Sequence, residues 1–329
     1  MPTNLPPEAF EAERKYREAT TVSDKVKYLE EYISAIPKHK GTDKLRADLR
    51  RKLSKLKSEG NKSKKQGSRQ ETAFQISREG DGQVAVTGLT NVGKSSLVSI
   101  LTNARPKVFE APYTTWEPTP GMMEYENIKI QLIDTPPLNR DYVNPELFEL
   151  IKKSDVILLM VDLKADPFKQ LEEGVKILEE HRIAPVRLKG KYPSDARMIF
   201  IPFLVLANKC DDQTQEEDFR IFGELLDDNW PSMPISASTG YNLEKMKEII
   251  FRKLNIIRIY SKPHGKEPDM SAPFVLKTGS NVEDFAAKVH RDFLKTLKTA
   301  HVWGKDVYDG QLVARDHILN DGDIVELCI

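Results

Sequence analysis

Apolar positions change their period twice along this chain. Over 8–35 they recur at roughly helical spacing (Tyr16, Ala19, Val26, Leu29, Ile33, then Ile36), which predicts a helix closed by Pro37. A second helix fits 43–58, with Leu45, Leu49, Leu53 and Leu56 on one face and Lys or Arg on the others. Residues 1–58 thus read as a basic helical hairpin. The stretch 59–70 holds no apolar residue, so 59–79 reads as a linker.

From residue 80 the period alternates between strand and helix. Strands are predicted at Val84–Thr87, Ile128–Ile133, Val156–Val161 and Phe203–Ala207. Helices are predicted at Ser95–Asn103, Phe168–His181, Gln215–Asp227 and Leu243–Lys253. This βα alternation over 80–260 predicts an α/β fold, a mostly parallel sheet with helices on both faces. Pro185–Ile199 breaks the period and reads as an inserted loop or hairpin. Residues 261–272, with Pro263, Gly265 and Pro268, read as a second linker. Residues 273–329 form a small α+β unit. It has a strand at Phe274–Thr278, a helix opened by Ser280 with Glu283 three residues on, and short strands around His301–Trp303 and Ile324–Ile329. Trp303 is expected in its core.

Composition narrows the class. The longest apolar runs fall far short of the ~20 residues that span a bilayer, and the N-terminus lacks the apolar core of a secretory signal. Two cysteines cannot build a disulfide framework or a four-cysteine zinc site. A cytoplasmic protein with no membrane contact is expected. Net charge is zero, yet residues 1–79 hold 19 Lys and Arg against 12 Asp and Glu. The excess lies between Lys38 and Arg69, a basic arm of the kind that meets an anionic partner.

The candidate chemistry begins at Gly88-Leu89-Thr90-Asn91-Val92-Gly93-Lys94-Ser95, which fits G-x-x-x-x-G-K-[ST] between a strand and a helix. Gly88 and Gly93 let the amides of this loop, Val92 and Ser96 among them, converge on phosphate oxygens at a helix N-terminus. Lys94 would reach the β and γ phosphates, and the Ser95 hydroxyl would bind Mg²⁺. The base is read further on. Asn208-Lys209-Cys210-Asp211 follows a strand, and a carboxylate at Asp211 can accept from guanine N1–H and its 2-amino group, which adenine cannot offer. Ser236-Ala237-Ser238 offers a backbone N–H to guanine O6. Between these lie Tyr113–Pro118, where Thr115 is the preferred Mg²⁺ ligand and Thr114 its alternative, and Asp134-Thr135-Pro136, where Asp134 would hold the Mg²⁺ shell through water.

Taken in order, GLTNVGKSS, YTTWEPTPG, DTP, NKCD and SAS resemble the Obg superfamily of GTPases and its developmentally regulated GTP-binding branch, in a compact prokaryotic form. GSNVEDFAAKVHRDF, AHVWG and LNDGDIVEL resemble a TGS domain, a β-grasp module, and IPKHKGTDKLRADLRRKL resembles the basic helical segment of such proteins. The resemblance implies GTP hydrolysis coupled to binding of a ribosome or RNA; a slow, monomeric switch between GTP and GDP is expected. The basic segment and the TGS domain would supply the contacts, with room for an accessory protein on the latter. It implies potassium as well, held by Asn91 beside the phosphates. Lys94, Thr115 and Asn91 are the catalytic candidates. Two departures stand out. Pro137 replaces the glycine whose N–H meets the γ-phosphate, and Leu138 stands where many GTPases place a water-orienting glutamine. These departures keep a non-catalytic, nucleotide-dependent ribosome- or RNA-binding module as the alternative.

Overall fold

The computed structural model describes residues 22–36, 74–102, 117–138, 144–193, 196–226 and 230–328, with positions 11, 14, 15 and 49. It divides into two compact units, Met1–Thr72 and Ala73–Ile329. In the first, α1 (Val22–Ala35) buries Leu29, Tyr32 and Ile33, and Ile36 just beyond it is buried too. These positions are spaced by three, one and three residues, so they share one helical face. Leu49 is helical and buried. The remainder of the predicted hairpin and the 59–70 stretch lie outside the described residues.

The second unit opens with β1 (Gly82–Gly88), α2 (Lys94–Leu101), β2 (Thr119–Tyr125), β3 (Ile128–Asp134), α3 (Pro145–Lys152) and β4 (Val156–Asp162). It continues with α4 (Pro167–Glu180), β5 (Ile183–Pro185), a 3₁₀ turn at Val186–Lys191, β6 (Ile199–Ile201), β7 (Phe203–Asn208), α5 (Gln213–Leu225), β8 (Ser232–Pro234) and α6 (Leu243–Leu254). Six strands form one sheet in the order β2-β3-β1-β4-β7-β8. All pairs are parallel except β2 with β3. Alternate residues feed opposite cores. Val84, Val86, Val156, Leu158 and Met160 pack with Leu97 and Val98 of α2 and Met246 and Ile250 of α6. Ala85, Ile157, Leu159 and Val161 pack with Phe148 of α3, Leu171 and Ile177 of α4 and Phe222 of α5. Burial on both faces explains why these strands read as continuous apolar runs. It also places the carboxyl ends of β1, β3, β4 and β7 side by side, where a ligand crevice forms.

Two local expectations change. Thr119–Tyr125 is a strand, paired to β3 over seven residues through a turn in which Glu126 has φ 49°. Pro120 and Gly121 hid it, and the edge of a sheet tolerates both. Of the two readings of 185–199, the loop holds and the hairpin does not: β5 and β6 pair in parallel, joined through the 3₁₀ turn at Val186–Lys191.

A second sheet follows. Its members are β9 (Ile256–Ser261), β10 (Phe274–Lys277), β11 (Thr299–Trp303), β12 (Gln311–Val313) and β13 (Ile324–Cys328), in the order β10-β9-β13-β11-β12. Two helices, α7 (Val282–Val289) and α8 (Phe293–Thr296), join β10 to β11. Val282, Phe285 and Ala286 of α7 cover Ile257, Ile259, Ala300, Val302 and Val325. The expected boundary at 260 is therefore displaced. Ile256–Ser261 pairs in the second sheet, although Ile256 itself packs in the first core. The cap of α7 also moves by one residue: Asn281 accepts from the Asp284 amide at 2.9 Å, and Asp284 accepts from the Asn281 amide at 3.0 Å. Trp303 is half-exposed on β11, not in the core, with the Lys262 ammonium 4.8 Å from its ring.

The turn between β2 and β3 meets β9. Arg258 pairs with Glu126 and, at 2.7 Å, with Asp321, and its guanidinium lies 4.8 Å from the Phe251 ring. Asn127 Nδ2 donates to the Tyr260 hydroxyl at 2.6 Å. No helix among the described residues is long and apolar enough to cross a membrane.

Candidate functional site

The loop leaving β1 is built on positive φ angles at Gly88 (147°), Asn91 (62°) and Gly93 (96°). At Gly93 a side chain is excluded twice over: by φ, and by Asn208 Nδ2, which would lie 2.3 Å from a Cβ. The chain then enters α2 with Lys94 as its first residue. Lys94 is 6% exposed, and its ammonium donates to the carbonyls of Gly88 at 3.2 Å and Leu89 at 2.8 Å. Burial depresses its pKa to about 8, while Asp134 works in the opposite direction. The Ser95 and Ser96 side chains, one and two residues further on, are exposed.

Asp134, the last residue of β3, is 8% exposed. Burial raises its pKa against the pull of the Ser95 hydroxyl and the Lys94 ammonium. Its Oδ1 is buried without a hydrogen-bond partner. An orphan carboxylate oxygen beside a serine hydroxyl is a hard-oxygen donor set, which suits Mg²⁺. Thr115 and its alternative Thr114 lie outside the described residues. Leu138 is 2% exposed in the core, and its amide donates to the Gly88 carbonyl at 3.0 Å. A leucine at this position is therefore a packing residue. Asn91 is exposed, and among the described residues its carboxamide has no hydrogen-bond partner.

The other end of the crevice is assembled from β4, β7 and the loop after β8. Asn208 is 2% exposed. Its Nδ2 donates to the Val92 carbonyl at 2.8 Å, and its Oδ1 accepts from the Ala237 amide at 3.0 Å. This one side chain ties the phosphate loop to the SAS loop, a role its motif alone does not reveal. Since the Ala237 amide is engaged and the Ser236 amide donates to the Tyr241 carbonyl at 3.2 Å, the Ser238 amide is the one of the three without a partner among the described residues. Lys209, at φ 69°, pairs with Asp162. Asp211 Oδ1 accepts from the Ser236 hydroxyl at 2.7 Å and the Ser238 hydroxyl at 2.8 Å, and its Oδ2 pairs with Lys164 at 2.7 Å. Lys164, then the two serines, hold its pKa down to about 2. Asp162 and Lys164 escaped sequence reasoning: they stand 47 residues before their partners, and only the parallel pairing of β4 with β7 joins them. Cys210 is buried, which pushes its thiol up and fits a filler position within the motif.

Residues 83–189 match the family described as 50S ribosome-binding GTPase, and residues 257–329 match the TGS domain. The chain is 29% identical to an uncharacterized GTP-binding protein of Methanocaldococcus jannaschii, over 94% of this chain and 93% of that protein. It is 28% identical to developmentally-regulated GTP-binding protein 1 of Xenopus laevis, over 88% and 92%. It is 25% identical to ribosome-interacting GTPase 1 of Saccharomyces cerevisiae, over 94% and 99%. Among solved structures, the YchF GTPase of Schizosaccharomyces pombe shares the fold. Its TM-score is 0.53 at 13% identity, over 77% of this chain and 99% of that one.

Proposed function

We propose that this chain, a P-loop GTPase joined to a TGS domain and similar to the developmentally regulated GTP-binding proteins, is a slow, potassium-stimulated switch on a ribosomal or RNA target. The carrying observation is the buried Lys94 ammonium, spent on two loop carbonyls and next to a carboxylate with an unpartnered oxygen. The ammonium gains anionic partners when a triphosphate lies in the loop, and the carboxylate oxygen would gain one from the Mg²⁺ shell that accompanies it. Gly88, Val92, Gly93 and Ser96 line the phosphates through their backbone, and Lys94 follows the charge onto the bridging and γ oxygens. Water adds to the γ-phosphorus and loses a proton to the departing phosphate or to solvent, the bond to the β–γ bridging oxygen breaks, and GDP leaves with the electron pair. Lys94 and the loop amides stabilise that charge. Mg²⁺ held by Ser95, Thr115 and, through water, Asp134 would supply further charge compensation at the same oxygens. Asn208, Lys209, Asp211, Ser236, Ala237 and Ser238 hold the guanine end.

Asn91, exposed and at positive φ within the loop, would ligate potassium through its carboxamide. Such a cation would supply the charge compensation that an arginine finger gives elsewhere. The basic arm before residue 70 and the TGS domain reach the target, in line with the ribosome named in the matched family and in the yeast relative. Single-turnover phosphate release in KCl against NaCl tests the cation: potassium should be faster, and Asn91→Ala should remove the difference. Equal rates in the wild type would eliminate this role. Ribosome co-sedimentation should fall with salt and after removal of 1–70; unchanged pelleting would assign the target contact elsewhere.

A further inference from the structure

Asp211 has more donors than a guanine reader can keep. A carboxylate offers about four lone-pair sites. Three are taken: two on Oδ1 by the Ser236 and Ser238 hydroxyls and one on Oδ2 by the Lys164 ammonium. Guanine brings two further donors, N1–H and the 2-amino group, so one resident must leave. Ser236 is fully buried and accepts from the Thr239 amide at 3.0 Å, which fixes its oxygen in place. Of the two exposed residents, Ser238 stays beside the fixed Ser236 hydroxyl at 3.0 Å, whereas the Lys164 side chain, 47% exposed, regains water by a rotamer change. Its backbone stays behind, because the Lys164 amide donates to Asp162 Oδ1 at 2.9 Å.

We infer that Lys164 competes with guanine for Asp211 and so sets nucleotide affinity. It neutralises the carboxylate while the pocket is empty and swings away as the base enters. This rests on Asp211 being the guanine reader. Its sign is unusual. A lysine near a polyphosphate ordinarily strengthens binding by attraction, whereas this one weakens it.

The probe is GDP titrated into the nucleotide-free chain. Lys164→Met should bind GDP about two- to fivefold more tightly than wild type, the range expected for loss of a half-exposed ion pair. Lys164→Arg, which can hold the carboxylate with a two-pronged guanidinium, should bind no more tightly than wild type. The gain in Lys164→Met should shrink between about 50 and 500 mM KCl, as salt releases the wild-type pair. Unchanged or weaker GDP binding by Lys164→Met overturns the inference, and so does an equal gain in Lys164→Arg. Failure of the underlying reading shows separately, as an Asp211→Asn variant that does not exchange guanine for xanthine.

Discussion

The two ends of the crevice are opposites. At the phosphate end, Lys94 is buried on two loop carbonyls and Asp134 keeps one orphan oxygen, so the carboxylate is short of a partner. At the base end, Asp211 is half-open to solvent and holds three donors, so the site has partners to spare. A ligand therefore gains at one end by supplying charge and at the other by displacing it. On the proposed reading, affinity would come from the phosphate end, and discrimination between bases from the exchange of donors at the other.

The strongest way to break this contrast is Lys94→Met. Losing the ammonium from phosphates in a buried site should weaken GDP binding by about a hundredfold or more. The nucleotide-free chain should melt no lower, because a desolvated charge is gone. A variant that melts lower yet binds GDP normally would place the phosphates elsewhere.

The loop after β3 comes next. Pro137 offers no amide, and in this structure the Leu138 amide is taken by the Gly88 carbonyl. Pro137→Gly should raise affinity for a non-hydrolysed GTP analogue by several-fold up to ~100-fold, the worth of one hydrogen bond to a charged oxygen, with GDP unchanged. An unchanged ratio of the two affinities would mean that the γ-phosphate is sensed through Thr115 or another loop.

The pH dependence is milder. In the free chain Lys94 titrates at about 8, and phosphate oxygens raise that value on binding. Below pH 8 both states carry the proton and no linkage appears. Above it the free chain must take up a proton, so GDP affinity should fall by up to about tenfold per pH unit. Calorimetry at pH 9 in two buffers of different ionisation enthalpy should report net proton uptake; none would contradict the buried lysine.

Far from the crevice, Arg258→Ala serves as the control. It strips Glu126 and Asp321 of a largely buried partner and should cost ~1–3 kcal/mol of stability in thermal unfolding, with GDP affinity unmoved. A change in affinity would extend the contrast to the β2–β3 turn.

What was legible follows from burial. Strands buried on both faces write apolar runs, and a phosphate loop must carry its glycines wherever the backbone meets phosphate, so β1, β3, β4, β7 and the Lys94 loop could be read directly. The edge strand Thr119–Tyr125 could not, because one partner strand and a Pro-Gly pair leave no such run. Ile256–Ser261 read as part of the first domain because α6 leads into it with a single intervening residue, while its pairing partners lie on the far side of a proline-rich stretch. Leu138 read as a catalytic question but packs as core. Asp162 and Lys164 carry no local signature. Their place beside Asp211 comes from strand order, which a local motif does not contain.

The most direct test of a guanine-reading, donor-exchanging pocket is equilibrium competition of GDP, ADP and xanthosine diphosphate against a fluorescent GDP, for wild type and Asp211→Asn. The wild type should take GDP far better than the other two. Asp211→Asn should lose GDP by about a hundredfold, as two charge-assisted hydrogen bonds disappear, and should gain the xanthine nucleotide, whose 2-oxo group accepts from the new amide. If Asp211→Asn kept wild-type preference for GDP, Asp211 would not face the base, and the account of this pocket would be wrong.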